Sequence, residues 1–296
     1  MSDTRPPAPF TPFFLTVPGD QPSQRFCIHH PAQGDTVKGA VLYIHPFAEE
    51  MNKSRRMAAL QSRAMAAAGY TVLQIDLLGC GDSSGDFGDA RWQDWVDDVV
   101  RGAQWLAERV QAPLWLWGLR VGCLLAVEAS RALPMAPRFM FWAPTPSGKQ
   151  VLQQFLRLKA AGDLASGKAK AVMDGLRTDL AQGRPVEIAG YRLSPALAAG
   201  LEPSGLVPPP VGQGSTAHIA WLELSTRDDA DLSPVASKTL RTWQQAGWLT
   251  ARGHVVPGPA FWQTTEIEDA PALVAATIAA LDAAEFPEQS AKQSAP

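Results

Sequence analysis

The chain has 296 residues, of which 46% are hydrophobic and 19% charged, as in a globular protein that buries a full core. Its net charge of -3 provides no concentrated basic face, so we expect no nucleic-acid partner. Three cysteines, none in a CxxC spacing, argue against a disulfide framework and a zinc site, and no cofactor or metal is expected.

The N-terminal residues show no basic segment followed by an apolar one, so we expect no signal peptide. The most apolar stretch, residues 114–127, is interrupted by Arg120 and Gly122 and is too short to span a membrane. The sparse cysteines fit a reducing compartment, and we predict a cytoplasmic protein.

Strands and helices alternate through the first half of the sequence. Short apolar and β-branched runs predict strands at 38–45, 70–76, 113–118 and 138–143. Apolar residues at helical spacing predict helices at 52–68, 92–110 and 120–133. This alternation, with strands that are apolar on both faces, indicates an α/β fold with a mostly parallel central sheet and helices on both faces.

The alternation stops near residue 144 and returns after residue 213. The interrupting segment contains two helical stretches, a short strand or hairpin and a proline-rich stretch, so we predict a lid-like helical insertion. The predicted organisation is an N-terminal extension (1–24), a core (25–143 and 214–285), the insertion (144–213) and a disordered tail (286–296).

Four loops that follow predicted strands carry motifs. They are HPFAEEMNK at 45–53, DLLGCGDS at 76–83, GLRVG at 118–122 and VPGPAFW at 256–262. Each motif alone is weak, but the four in this order resemble the α/β-hydrolase superfamily over about residues 25–285. The resemblance implies an α/β-hydrolase fold in which GLRVG occupies the nucleophile elbow.

The resemblance also assigns roles to individual residues. Gly118 and Gly122 match the elbow glycines, where a tight turn leaves no room for Cβ atoms. The backbone N–H groups of Phe47 and Val121 match the oxyanion hole. We further expect a pocket beside them with candidate lining residues Glu49, Trp142 and Trp262.

A narrower similarity is carried by HPFAEEMNKSRR, IDLLGCGDSSGDF, LWLWGLR and VPGPAFWQTTEIE. These segments resemble the hydrolase-like proteins (second type) associated with the exosortase A system of bacteria that make exopolysaccharide. The resemblance implies a physiological setting and suggests a protein partner in an envelope sorting or polysaccharide pathway. It implies no particular reaction.

Two positions depart from the superfamily pattern. Arg120 stands where a serine hydrolase has its nucleophile, and a guanidinium, which stays protonated, cannot attack a carbonyl. No histidine follows His254, which we place within the last strand, so the triad loop has no base. His45 is the remaining acid/base candidate, and Asp228 lies near the place of the triad acid.

Two interpretations of Arg120 remain open. It either binds an anion at the N-terminus of a helix or pairs with Glu49, Glu50 or Asp76 and seals the pocket. The first functional hypothesis is a catalytically degenerate protein that binds an anionic or acylated small molecule, or a partner. The alternative is an active hydrolase or acyltransferase on an ester, thioester or acylated saccharide, and a third is a structural or regulatory subunit.

Overall fold

The computed structural model describes residues 9–19, 22–160, 168–211, 217–227, 229–248 and 250–285. The strands in these ranges are β1 (Thr11–Val17), β2 (Ser23–His30), β3 (Gly39–Ile44), β4 (Tyr70–Ile75), β5 (Leu114–Leu119), β6 (Arg138–Trp142), β7 (Val186–Ile188), β8 (Tyr191–Leu193), β9 (His218–Ser225) and β10 (Thr250–Pro257). The α-helices are α1 (Glu49–Ala67), α2 (Trp92–Ala107), α3 (Gly122–Ser130), α4 (Gly148–Ala160), α5 (Ala169–Ala181), α6 (Pro195–Leu201), α7 (Pro234–Gln245) and α8 (Pro271–Glu285).

The main sheet has eight strands in the order β1-β2-β4-β3-β5-β6-β9-β10. From β4 to β10 every neighbouring pair is parallel, whereas β1 and β2 join antiparallel at one edge. The predicted mostly parallel sheet is therefore confirmed. Because the parallel strands run in one direction, the ends of β3, β5 and β6 lie side by side at the carboxyl edge of the sheet.

Helices cover both faces of the sheet. On β3, Leu42 and Ile44 pack into the core beneath α2 and α3, while Val41 and Tyr43 pack into the core beneath α1 and α8. All six residues of β3 are buried. This two-sided burial explains the continuously apolar strand segments of the sequence.

The antiparallel edge was not predicted from the sequence. Strand β1 lies within residues 1–24, which we expected to precede the core, and it pairs with β2 from Thr11↔His29 to Val17↔Ser23. Its exposed Phe14 contacts Phe26, and Phe13 stacks on Trp105 of α2. The strand is mostly exposed, so it lacks the apolar run that predicted the buried strands.

Between β6 and β9, the described part of the insertion contains α4, α5, the β7–β8 hairpin and α6. Helix α6 begins at a capping serine: Ser194 Oγ accepts a hydrogen bond from the Leu197 N–H. The buried side of α4, including Val151 and Phe155, joins the core beneath α2. None of the helices in the described ranges has the length and apolarity needed to cross a bilayer.

Candidate functional site

The turn between β5 and α3 is a tight elbow centred on Arg120. Arg120 has φ of 55°, a left-handed conformation that is strained for a residue with a side chain. A Cβ on Gly118 would lie 2.5 Å from the Cys123 nitrogen, and one on Gly122 would lie 2.2 Å from the Ile44 oxygen. The two glycines are therefore required by close packing of the elbow against its own helix and against β3.

Two neighbouring turns are strained in the same way. Ala48, after β3, has φ of 48°, and Ala143, after β6, has φ of 40°. The Ala143 N–H donates to the Leu222 carbonyl at 2.7 Å, which holds this turn against β9. Three left-handed non-glycine residues thus meet at one edge of the sheet, a concentration that is typical of functional sites.

The Arg120 guanidinium lies between the insertion and α1. Its Nε donates to Glu50 Oε1 at 3.3 Å, and its Nη1 and Nη2 reach the Ala143 carbonyl and Gln154 Oε1, each at 3.5 Å. The guanidinium also lies 5.5 Å from the centre of the Trp262 ring. These bonds are long for a guanidinium, so its donors are only weakly engaged by the protein.

Arg120 pairs with a carboxylate and also lines an open cavity, so the pairing does not seal the pocket. Its carboxylate partner is Glu50, whereas Asp76 accepts from Arg55 Nη2 at 3.1 Å. The pairing with Glu50 does not fill the space in front of the elbow. A cavity of about 430 Å³ remains there, and Arg120 forms part of its wall.

The cavity has one polar side and one apolar side. The polar wall comes from the start of α1, the elbow and the loops after β6 and β10: Glu49, Glu50, Lys53, Arg120, Thr145, Trp262 and Gln263. The apolar wall is formed by Phe47 and the inner face of α4, with Val151, Phe155 and Leu158. Such a cavity suits an amphipathic small molecule.

Several polar groups around the cavity have no protein partner in the described ranges. Thr145 Oγ1, Trp262 Nε1 and Glu49 Oε2 are buried atoms without a hydrogen bond. The backbone N–H groups of Phe47, in the cavity wall, and of Val121, next to Arg120, likewise donate to no acceptor in the part of the chain that the structure describes. Buried polar groups are nearly always paired, so these atoms are available to pair with a bound molecule.

Burial also shifts the acidity of the cavity carboxyls. It raises the pKa of Glu50 to about 7, although the Arg120 charge opposes the shift. Burial likewise raises the pKa of Glu49, which the Lys53 charge opposes. Near pH 7, Glu50 is therefore partly protonated while it faces the guanidinium.

His45 does not lie in this cavity. It is buried, its Nδ1 bonds to the Pro46 carbonyl at 2.8 Å, and its Nε2 accepts from the Leu77 N–H at 3.3 Å. With Nδ1 as the donor, both ring nitrogens are used by the backbone, and burial lowers the pKa of the ring. All five histidines lie in described ranges, and none lines the cavity.

The other predicted site residues divide into two groups. Phe47, Glu49 and Trp262 line the cavity, whereas Val121 and Trp142 do not. The Trp142 side chain points to the opposite side, where its Nε1 donates to Thr277 Oγ1 of α8 at 2.9 Å. Asp228 lies outside the described residues.

Neither Cys123 nor Cys80, the cysteines nearest to the predicted site loops, is prepared by its surroundings to act as a nucleophile. Cys123 is fully buried in α3, its Sγ donates to the Gly118 carbonyl, and burial raises its pKa well above the usual range. Cys80 is also buried, and its pKa is raised by burial and by the Asp76 charge. Within the described ranges, no group of three or more His, Cys, Asp or Glu residues is arranged to hold a metal ion.

The sequence did not single out Thr145, Gln154 and Phe155. All three belong to the start of the insertion, which carries no recognisable motif. Only Thr145 could have been found from its position, because it follows β6 at the same sheet edge as the elbow.

The ordered sheet, the strained elbow after β5 and the helices on both faces define an α/β-hydrolase fold. The chain belongs to the family described as serine aminopeptidase, S33, whose model matches residues 35–200. Comparison with curated proteins gives no match.

Solved structures of other hydrolases share this fold. A monoglyceride lipase variant from Saccharomyces cerevisiae is similar with a TM-score of 0.60 and 13% identity, over 95% of this chain and 98% of that one. Est1E from Butyrivibrio proteoclasticus, with bound ferulic acid, has a TM-score of 0.59 and 11% identity, over 90% of this chain and 96% of that one. A carboxyl esterase from Bacillus coagulans has a TM-score of 0.58 and 11% identity, over 93% of this chain and 99% of that one. At these identities the similarity shows the fold alone.

Proposed function

We propose that this protein is a catalytically degenerate α/β hydrolase that uses the cavity in front of Arg120 to bind an anionic or acylated small molecule. The single observation that carries the proposal is the Arg120 guanidinium at the centre of the elbow. Acyl-enzyme chemistry needs a nucleophile at that turn and a histidine within hydrogen-bond reach, whereas the turn carries Arg120 and the described residues that line the cavity include no histidine.

The hydrogen-bond donors at the elbow and in the cavity wall support binding in place of catalysis. The guanidinium, Thr145 Oγ1 and the free N–H groups of Phe47 and Val121 are donors, and they favour a ligand with acceptor oxygens. The apolar wall on α4 favours a hydrocarbon portion in the same ligand. Together these features support an oxygen-rich anionic head attached to an apolar body.

The biological setting is part of the proposal. The motif similarity supports a setting in a bacterium with an exosortase A system, where the protein would act in the cytoplasm and serve exopolysaccharide production or envelope sorting, alone or with a protein partner. Three buried free cysteines are compatible with a reducing compartment. We also propose that residues 144–213 act as a lid, since α4 contributes the apolar wall.

The second candidate is an active hydrolase or acyltransferase with an unusual site. The free N–H groups of Phe47 and Val121 favour it, because they match the donors that stabilise an oxyanion. The position of His45 opposes it, since both ring nitrogens are occupied by backbone groups.

A panel of short-chain and long-chain p-nitrophenyl esters tests the proposal against this alternative. We expect no turnover above the uncatalysed rate for the wild type or for Arg120→Ser, because a restored serine would still lack a histidine base. Turnover by the wild type that His45→Ala abolishes would replace the binding proposal with the second candidate.

A further inference from the structure

The Arg120–Glu50 pair has a direct consequence for the kind of ligand that fits. We propose that the cavity selects an amphipathic monocarboxylate, whose carboxylate replaces Glu50 on the Arg120 guanidinium while Glu50 takes up a proton. This inference rests on the binding function proposed above, and it names the ligand class and the exchange that admits it.

The donors are arranged for one carboxylate. A guanidinium presents parallel N–H groups that match two carboxylate oxygens, and the Arg120 bonds to Glu50, Ala143 and Gln154 are all long enough to be exchanged. Thr145 and Trp262 are each more than nine-tenths buried, line the same cavity, and have an unpaired Oγ1 and Nε1. They provide further donors for the head of the ligand.

The charges of the cavity favour a single negative charge. Among the residues that the structure describes, the ionisable groups that line it are Glu49, Glu50, Lys53 and Arg120, whose formal charges cancel. A carboxylate would leave an excess negative charge in a half-buried space, and protonation of Glu50 removes it. A phosphate monoester would add two negative charges and exceed what one proton can offset.

Glu50 is suited to this exchange by position and by acidity. Its side chain is 16% exposed, next to Glu49 and Lys53 on α1 and facing Arg120 of the elbow, and Gln154 of α4 contacts the same guanidinium. Burial raises its pKa to about 7, so at pH 8 it is mainly ionised but close to protonation. When a ligand takes the place of Glu50 on Arg120, the pKa of Glu50 rises further, because the lowering effect of the Arg120 charge is lost.

The tail of the ligand is accommodated by α4. Val151 and Phe155 are buried in the core, while Leu158 is 44% exposed at the edge of the cavity. A flexible alkyl chain against these residues removes apolar surface from water on both partners. Octanoate is therefore the matching probe, and octanol and octyl phosphate are probes that change only the head group.

Isothermal titration calorimetry of the full chain with octanoate tests the inference. At pH 8, in buffers with different ionisation enthalpies, we expect binding with uptake of about one proton. Between pH 8 and 9 we expect the affinity to fall about tenfold, because the free protein must then acquire that proton. Octanoate binding without proton uptake, or equal affinity for octanol or octyl phosphate, would overturn the inference.

Two variants and a control refine this test. Glu50→Gln is expected to bind octanoate more tightly at pH 8 and without proton uptake, since its amide needs no proton. Arg120→Gln is expected to lose about tenfold to hundredfold in affinity. Arg157→Gln, an exposed position on α4 outside the cavity wall, is the matched control and should bind as the wild type does. An unchanged proton uptake in Glu50→Gln would contradict the exchange.

The outcome also separates this inference from the binding proposal. Absence of octanoate binding, in a protein that turns over no ester, would overturn the monocarboxylate assignment and leave the degenerate site intact. Ester turnover by the wild type would overturn the binding proposal itself, whether or not octanoate binds.

Discussion

Arg120 and Glu50 face each other at the carboxyl edge of the sheet, with Nε and Oε1 3.3 Å apart and both side chains largely buried. The guanidinium projects from the elbow after β5, and the carboxylate projects from the first turn of α1 after β3. Because these strands are parallel neighbours, their ends bring the two residues together from positions 70 apart in sequence. The pair therefore occupies the centre of the site that the fold creates.

The elbow geometry predicts that Gly122→Ala is strongly destabilising. The added Cβ would lie 2.2 Å from the Ile44 carbonyl oxygen, so the elbow or β3 must move. We expect the free energy of unfolding to fall by about 3 kcal/mol, as for an overpacked core position. Chemical denaturation followed by tryptophan fluorescence measures this change.

Gly175→Ala is the control for that substitution. Gly175 lies inside α5, and a Cβ there would meet nothing within 4 Å. Alanine is favoured over glycine in a helix, so this variant should gain about 1 kcal/mol. Equal stability of Gly122→Ala and the wild type would contradict the packing described for the elbow.

A buried ion pair predicts strong coupling between β2 and α2. Arg25 Nε donates to Asp98 Oδ2 at 2.6 Å, both side chains are almost fully buried, and Asp98 Oδ2 also accepts from the Leu78 N–H. Arg25→Met leaves a buried, partly unpaired carboxylate and should cost about 3–5 kcal/mol in unfolding free energy.

The double variant Arg25→Met/Asp98→Asn tests this explanation. Asparagine removes the buried charge but keeps an acceptor for the Leu78 N–H, so the double variant should be more stable than Arg25→Met alone. If the two substitutions are instead additive in unfolding free energy, the Arg25–Asp98 pair is not coupled.

The pKa of His30 predicts a loss of stability in mild acid. Burial lowers this pKa to about 4, with smaller contributions from the charges of Arg63 and His29, while the unfolded chain has a value near 6.5. The unfolded state therefore binds the proton more readily. The contribution of His30 to the free energy of unfolding is therefore fully present above pH 6.5 and is lost as the pH falls from 6.5 toward 4.

His30→Gln isolates this effect. Thermal melts of the wild type and the variant at pH 7 and pH 5 should show a smaller acid-induced fall in Tm for the variant. Burial also lowers the pKa values of His29 and His218, so these two residues cause part of the acid-induced fall in Tm in both proteins. An identical fall in Tm would contradict the burial of a neutral His30.

The sequence predicted the parallel strands because their burial on both faces produces apolar runs. It did not predict the edge strand β1 or its neighbour β2, since both strands are partly exposed and show no clear period of apolar residues. The elbow could be predicted because close backbone contacts require glycine at 118 and 122. The two glycines therefore form a recognisable spacing in the sequence.

Side-chain direction was the part that spacing could not determine. Trp142 and Trp262 both follow or end strands, yet only Trp262 faces the cavity. His45 directly follows β3 at the same edge, but its two backbone hydrogen bonds depend on the path of residues 46 and 77. Thr145 and Gln154 joined the site through packing of the insertion, which no motif described.

Covalent labelling tests the central claim most directly. The purified wild type is incubated with a fluorophosphonate probe and its intact mass is measured, with Arg120→Ser and a known serine esterase treated in parallel. A degenerate binding site predicts no added mass on the wild type or on Arg120→Ser, while the esterase is labelled stoichiometrically. Stoichiometric labelling of the wild type would show an activated nucleophile and contradict the claim.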